Sequence, residues 1–209
     1  MNPIRQDLQA YVEHEILPRY DSFDAAHQRD HVEMVIRQSK ELAEQTGADA
    51  EMAYVIAAYH DTGLCEGRER HHLVSGEIIR SDRNLLRWFS PEQIETMACA
   101  AEDHRASADH APRTLYGRIV AEADRFIDPE TIVHRTVQFG LEHYPELDKE
   151  GHYERTLQHL HEKYGRNGYL KLWFPDSPNA RQLEQLRQMI DDEPKIRRIF
   201  DEYWICHLS

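Results

Sequence analysis

The stretch Met52-Ala-Tyr-Val-Ile-Ala-Ala-Tyr59-His60-Asp61-Thr-Gly63 decides how this chain is read. A helix that is apolar all round belongs in an interior rather than on a surface. This one ends in an imidazole and a carboxylate side by side. Neither group is stable in an apolar interior without a partner. A divalent metal is the simplest partner for both.

Helical periodicity continues on either side, and no convincing period-2 strand occurs. The pattern predicts helices over 3–17, 29–47, 50–60, 71–79, 91–104, 114–126, 128–144, 154–164, 180–190 and 195–204. Pro18 is expected to stop the first. Gly47 is a plausible residue just past the end of the second. Ser90-Pro91-Glu92-Gln93 has the form of an N-cap, a proline at the first helical position and a capping-box residue. Residues 105–112 read as a polar loop. The expected fold is all-α: a single domain with a helical core over 1–164 and a C-terminal appendage, 165–209, packed on it.

Bulk properties narrow the function classes. The chain has 209 residues, 40% hydrophobic and 30% charged, so it reads as globular. No apolar stretch has the length of a membrane span. The N-terminus lacks the form of a secretory signal, and three scattered cysteines suggest no disulfide framework. A cytoplasmic location is expected. A formal net charge of −13 argues against polymeric nucleic acid as a partner. A small phosphorylated substrate is compatible with it, since a metal and a few arginines handle such a group locally.

The chemistry is sought among polar residues that share a helix face with apolar ones. His31 shares a face with Val35 and Leu42, and His60 with Ile56 and Ala53. Asp124 follows Val120 and Gly117, and His104 follows Met97 and Ala100. His72 lines up with Ser75, Gly76 and Ile79, with His71 as the competing choice. Helical bundles build metal sites from such inward groups on facing helices. Each histidine alone reads more readily as a hydrogen-bonded core residue. His27, four residues before His31, offers a weaker pairing, and the remaining histidines read as surface.

The ordered set His31, His60-Asp61, Asp124 resembles the HD superfamily of metal-dependent phosphohydrolases. His71-His72-Leu-Val-Ser75-Gly76, Glu102-Asp103-His104-Arg105 and Ile119-Val-Ala-Glu-Ala-Asp124-Arg125 resemble motifs of its bacterial members. The resemblance covers residues 27–130 and is more specific for fold and metal than for substrate. It implies that His31, His60, Asp61 and Asp124 hold a metal, with His72 and His104 available for a second. Two imidazoles and two carboxylates suit Mn²⁺, Fe²⁺, Co²⁺, Ni²⁺ or Zn²⁺ better than Mg²⁺. The chain departs from the cyclic-dinucleotide phosphodiesterase subgroup, lacking its Gly-Tyr-Pro element.

The expected reaction is hydrolysis of a small phosphate ester or nucleotide by metal-activated water. Asp61, given a free oxygen, would orient or deprotonate that water. His72 and His104 would complete a second metal site or donate to the phosphate. Arg105 is the first choice for a phosphate clamp, with Arg68, Arg70 and Arg113 behind it. Glu66 is a weaker choice for an auxiliary base. Two other classes stay open: a di-iron oxygenase on the same fold, marked by iron and oxygen uptake, and a non-catalytic regulatory module, marked by an absence of bound metal. The stretch 164–174 mixes glycines, aromatics and bases; anchoring of the last helices by Trp173 and Phe174 is preferred to a role over the site.

Overall fold

The computed structural model describes residues 3–23, 28–105 and 110–208. Among these, ten α-helices and no strand are found, in accord with the all-α expectation. No described helix is long and apolar enough to cross a membrane. The chain divides into two compact units, Met1–Arg125 and Phe126–Ser209.

The first unit opens with α1 (Gln6–Tyr11), which runs into a π turn (Val12–Ile16) and a 3₁₀ turn (Leu17–Ser22). The chain thus stays helical past Pro18. That proline sits in the first turn of the 3₁₀ segment, where a missing N–H breaks no hydrogen bond. Leu8, Val12, Ile16 and Tyr20 are all fully buried and recur every four residues. A four-residue step in an α-helix over-rotates by about 40°. The wider π turn over Val12–Ile16 takes back part of that drift.

Helix α2 (Arg29–Thr46) ends at Gly47, whose φ of 71° is the left-handed cap that glycine adopts without steric cost. In α3 (Ala50–Tyr59), Asp49 accepts from the backbone N–H groups of Glu51 and Met52, a cap worth about 1 kcal/mol. Every residue from Met52 to Tyr59 is buried, and α3 packs against α2, α5 and α6. A 3₁₀ turn (Thr62–Glu66) then leads to α4 (His71–Ser81). After a further 3₁₀ turn (Arg83–Arg87), α5 (Pro91–Glu102) begins with the predicted capping box at Ser90 and Gln93. Helix α6 (Leu115–Ala123) is capped by Thr114.

The second unit contains α7 (Pro129–His143), α8 (Lys149–Tyr164), α9 (Pro178–Asp191) and α10 (Glu193–Leu208). Helix α8 starts earlier than its periodicity suggests, because the Asp148 side chain accepts from the Gly151 N–H and caps it there. Val133, Val137 and Leu160 from α7 and α8 share one core with Leu186, Ile196 and Phe200 from α9 and α10. The division therefore falls at 125/126 instead of the expected 164/165. Helices α7 and α8 bury their apolar faces with the C-terminal pair, so 165–209 is no appendage to a core ending at 164. Leu170 and Leu172, from the irregular stretch, pack into the same cluster, while Trp173 and Phe174 are half-buried.

Candidate metal centre

Six polar side chains gather in the first unit, and each stands at or beside a helix end. His31 is in the first turn of α2, His60 caps α3, and Asp61 follows it. His71 opens α4, His104 comes just after α5, and Asp124 caps α6. A helix end leaves its last carbonyls without intrahelical partners. At the end of α3 three successive carbonyls are satisfied by side chains. His60 Nδ1–H donates to Ala57 O at 2.7 Å, the Tyr20 hydroxyl to Ala58 O at 3.0 Å, and Thr62 Oγ1 to Tyr59 O at 2.7 Å. This is how a buried helix tolerates ending in polar groups.

Two neighbouring histidines repeat the device. His104 Nδ1–H donates to Ala101 O at 2.6 Å, and His71 Nδ1–H to Arg68 O at 2.7 Å. A carbonyl accepts only, so all three rings carry their proton on Nδ1. A neutral ring then presents a bare Nε2. The three Nε2 atoms point toward one carboxylate. His60 Nε2 lies 3.1 Å from Asp61 Oδ2, while His71 and His104 Nε2 each lie 3.4 Å from Asp61 Oδ1. His31 Nε2 is 3.7 Å from Asp61 Oδ2 and 3.2 Å from Asp124 Oδ1.

Two ligand groups result, each with its donor atoms within 4.8 Å of one another: His31, His60, Asp61 and Asp124, and then Asp61, His71 and His104. Asp61 belongs to both, one oxygen to each. His60 Nε2 is buried with no hydrogen-bond partner, yet Asp124 Oδ1 is 3.5 Å away and Asp61 closer still. Lone pairs facing carboxylates need a cation between them. The donor set therefore fits a divalent metal, with the backbone carbonyls behind the imidazoles fixing the tautomer that a metal requires.

Residues 29–127 match the family model of the HD domain. This segment is an HD domain. Over these residues, just under half of the chain, the sequence is similar to the HD superfamily. A solved structure described as a predicted HD superfamily hydrolase from an uncultured Thermotogales bacterium is 17% identical, with a TM-score of 0.49. The match covers 97% of this chain and 92% of that one. No curated protein matches the chain.

The HD domain places the predicted residues unevenly. His31, His60, Asp61 and Asp124 come together as one group, and His104 joins the second. His72 does not join either group; His71 takes that place. Ser75 is i+4 from His71 and i+3 from His72, so periodicity could not separate the two. The Arg68 carbonyl holds the His71 ring with Nε2 toward His104, 3.2 Å away. Gly63 makes this approach possible, since an added Cβ would fall 2.1 Å from His71 O. Both oxygens of Asp61 face imidazoles, which removes the free oxygen that a base role requires.

The arginines also separate. Arg113 is committed within the HD domain: Nε donates to both oxygens of buried Asp103, and Nη2 to Glu102 and the Cys99 carbonyl. These bonds join the end of α5 to the start of α6. Arg105 donates to the Glu69 carbonyl at 2.9 Å, beside His104. Arg68, Arg70 and Glu66 are exposed. His27 lies outside the described residues. The hydroxyl of Tyr20, from before the matched segment, carried no periodic signal toward the site and was missed.

Charge follows geometry. Burial opposes a proton on His60 and on His31, but Asp61 and Asp124 outweigh it and hold both imidazoles above their ordinary 6.5. Burial likewise opposes ionisation of Asp61 and Asp124, yet the histidines hold both below the usual carboxylate range. Burial lowers His71, and pushes His72 down to about 4 with the help of His104 and His71.

Proposed function

We propose that this HD-domain chain is a metal-dependent phosphohydrolase acting on a small phosphate ester or nucleotide. The observation that carries the reading is the division of Asp61, whose two oxygens face separate groups of imidazoles. One carboxylate between two nitrogen-rich groups suits a pair of transition metals, drawn from Mn, Fe, Co, Ni and Zn rather than Mg. A divalent metal held there would supply acidified water and polarise a phosphoryl oxygen.

The chain's own residues have narrower tasks. His31, His60, Asp61 and Asp124 would hold the first metal, and Asp61, His71 and His104 the second. The carbonyls of Ala57, Arg68 and Ala101 keep three imidazoles in the ligating tautomer. His31, Asp124 and His71 keep side-chain exposures of 17%, 24% and 14%, against 0% for His60, which marks the side from which a small substrate would arrive. Arg105, next in sequence to His104, is the guanidinium we assign to orient a phosphate.

The test is elemental analysis of protein purified without oxygen or chelator, followed by a panel of phosphate esters and nucleotides. Two transition-metal ions per chain with phosphate release is the expected result. The same six residues also keep the ligand order of a di-iron oxygenase. Two irons with visible absorption and oxygen uptake, and no phosphate release, would move the assignment to that class. A metal-free, inactive chain would indicate a regulatory module.

A further inference from the structure

We infer that Tyr20 is a positioning residue of the metal centre: its hydroxyl sets the backbone turn that aims Asp61 at both histidine groups. The inference rests on the metal reading of the site but not on the reaction.

Tyr20 comes from the segment before the family match. It is fully buried at the end of the four-residue stripe that begins at Leu8. Its hydroxyl donates to Ala58 O at 3.0 Å and accepts from the Asp61 N–H at 3.3 Å. These two bonds span the point where α3 stops. His60 is still helical, with φ −52° and ψ −35°, whereas Asp61 has φ −109° and ψ 4°. That change of backbone is what separates the directions of the two side chains.

The other two carbonyls at this helix end are satisfied from within the same turn, by His60 and Thr62. Tyr20 is the contribution from a distant part of the chain. The Asp61 N–H has no helical carbonyl to reach, so the phenol is what ties it to the helix end. The Tyr20 ring also packs beside the His60 ring, with centroids 6.4 Å apart. One side chain therefore supports the adjacent ligands His60 and Asp61 together. Residues that orient metal ligands without touching the metal commonly govern affinity about 10- to 100-fold.

The experiment compares Co²⁺ binding to the wild-type chain, Tyr20→Phe and Tyr59→Phe, by titration and by the visible d–d spectrum of the bound ion. Tyr59 is a matched control: it too is fully buried and beside His60, but its hydroxyl goes to Asp82 at 2.5 Å. Tyr20→Phe is expected to keep its helical circular dichroism, to bind Co²⁺ about 10-fold or more weakly, and to show an altered spectrum. Tyr59→Phe is expected to keep the wild-type spectrum and affinity. An unchanged Tyr20→Phe, or equal changes in both variants, would overturn the inference. Absence of Co²⁺ binding by the wild type would remove the metal reading itself, and the inference with it.

Discussion

His71 Nε2 and His104 Nε2 lie 3.2 Å apart, and each ring has its Nδ1 proton committed to a backbone carbonyl. Two nitrogen lone pairs at that distance repel unless a cation lies between them or one ring gains a second proton. Asp61 Oδ1, 3.4 Å from both, makes the third corner. The second ligand group is thus visible in hydrogen-bond bookkeeping alone.

A pair of alanine variants separates the two adjacent histidines. His71→Ala is expected to lower the metal content from two ions per chain to one. His72→Ala is expected to leave it unchanged. Inductively coupled plasma mass spectrometry reads the difference, and loss of metal in His72→Ala alone would reverse the assignment.

Asp61 serves both groups, so its replacement should remove both ions rather than one. Asp61→Ala is expected to carry no metal and to show only background hydrolysis. Retention of wild-type metal content in that variant would contradict the shared role.

Proton competition gives metal binding a defined pH dependence. Without metal, Asp61 and Asp124 keep His31 and His60 protonated above the ordinary 6.5. Metal must displace those protons, so binding releases them and weakens as pH falls, by about tenfold per pH unit for each proton displaced. Stability of the metal-free chain runs the other way. The raised histidines contribute stability that is complete below 6.5 and lost as pH climbs through their folded values. The depressed aspartates contribute stability present above 3.8 and lost as pH falls through theirs. Metal-free stability should therefore be highest between those two values, and the Tm gained from metal should widen above 6.5. Thermal melts with and without Mn²⁺ at several pH values measure it; a constant Tm gain across pH 5 to about 8 would refute the proton exchange.

Gly63 lets α4 approach the end of α3, and its N–H donates to Ser75 Oγ at 2.9 Å. Gly63→Ala forces backbone against backbone at His71, so α4 must shift. A loss of about 1–3 kcal/mol is expected, read by urea denaturation. The second ion should be lost before the first.

Arg113 is expected to matter for stability and not for substrate. Arg113→Ala leaves the buried Asp103 carboxylate without its main partner. Because the arginine side chain is 46% exposed, the cost should be about 1–2 kcal/mol, below that of a fully buried pair. Under conditions where the variant is folded, KM should stay within about twofold, since removal of uniform substrate binding would raise it. A large rise in KM would restore Arg113 as a phosphate contact. Arg105→Ala is the contrasting variant, with KM expected to rise.

Much of the fold was legible because helices are local. The Ser90 cap and the Gly47 stop act within a turn of their own residues, so composition and spacing place them. Helix α8 begins at Lys149, ahead of its apolar periodicity, because the Asp148 cap starts it there. The unit boundary is not legible in the sequence for a different reason. Which helices share a core depends on how apolar faces meet, and α7 and α8 look alike from the sequence whichever neighbours they choose.

The sequence by itself determined that a buried helix ends in His60-Asp61, and that this pair with His31 and Asp124 has the order of an HD metal centre. A buried imidazole and carboxylate each need a partner wherever they lie, and a metal serves both, so that expectation needs no coordinates. Tertiary structure decided the rest. The ligands stand at helix ends, where free carbonyls hold the imidazoles, and not along helix faces as periodicity suggests. It chose His71 over His72, since those residues differ by one position on a helix that only Gly63 allows so near. It withdrew Arg113 into a pair with Asp103, and it brought Tyr20 from outside the matched segment to the turn at Asp61. The carbonyl bonds that hold the imidazoles are local, each to the residue three before, but which rings converge, and the reach of Tyr20 to Asp61, are set by packing that no local pattern encodes.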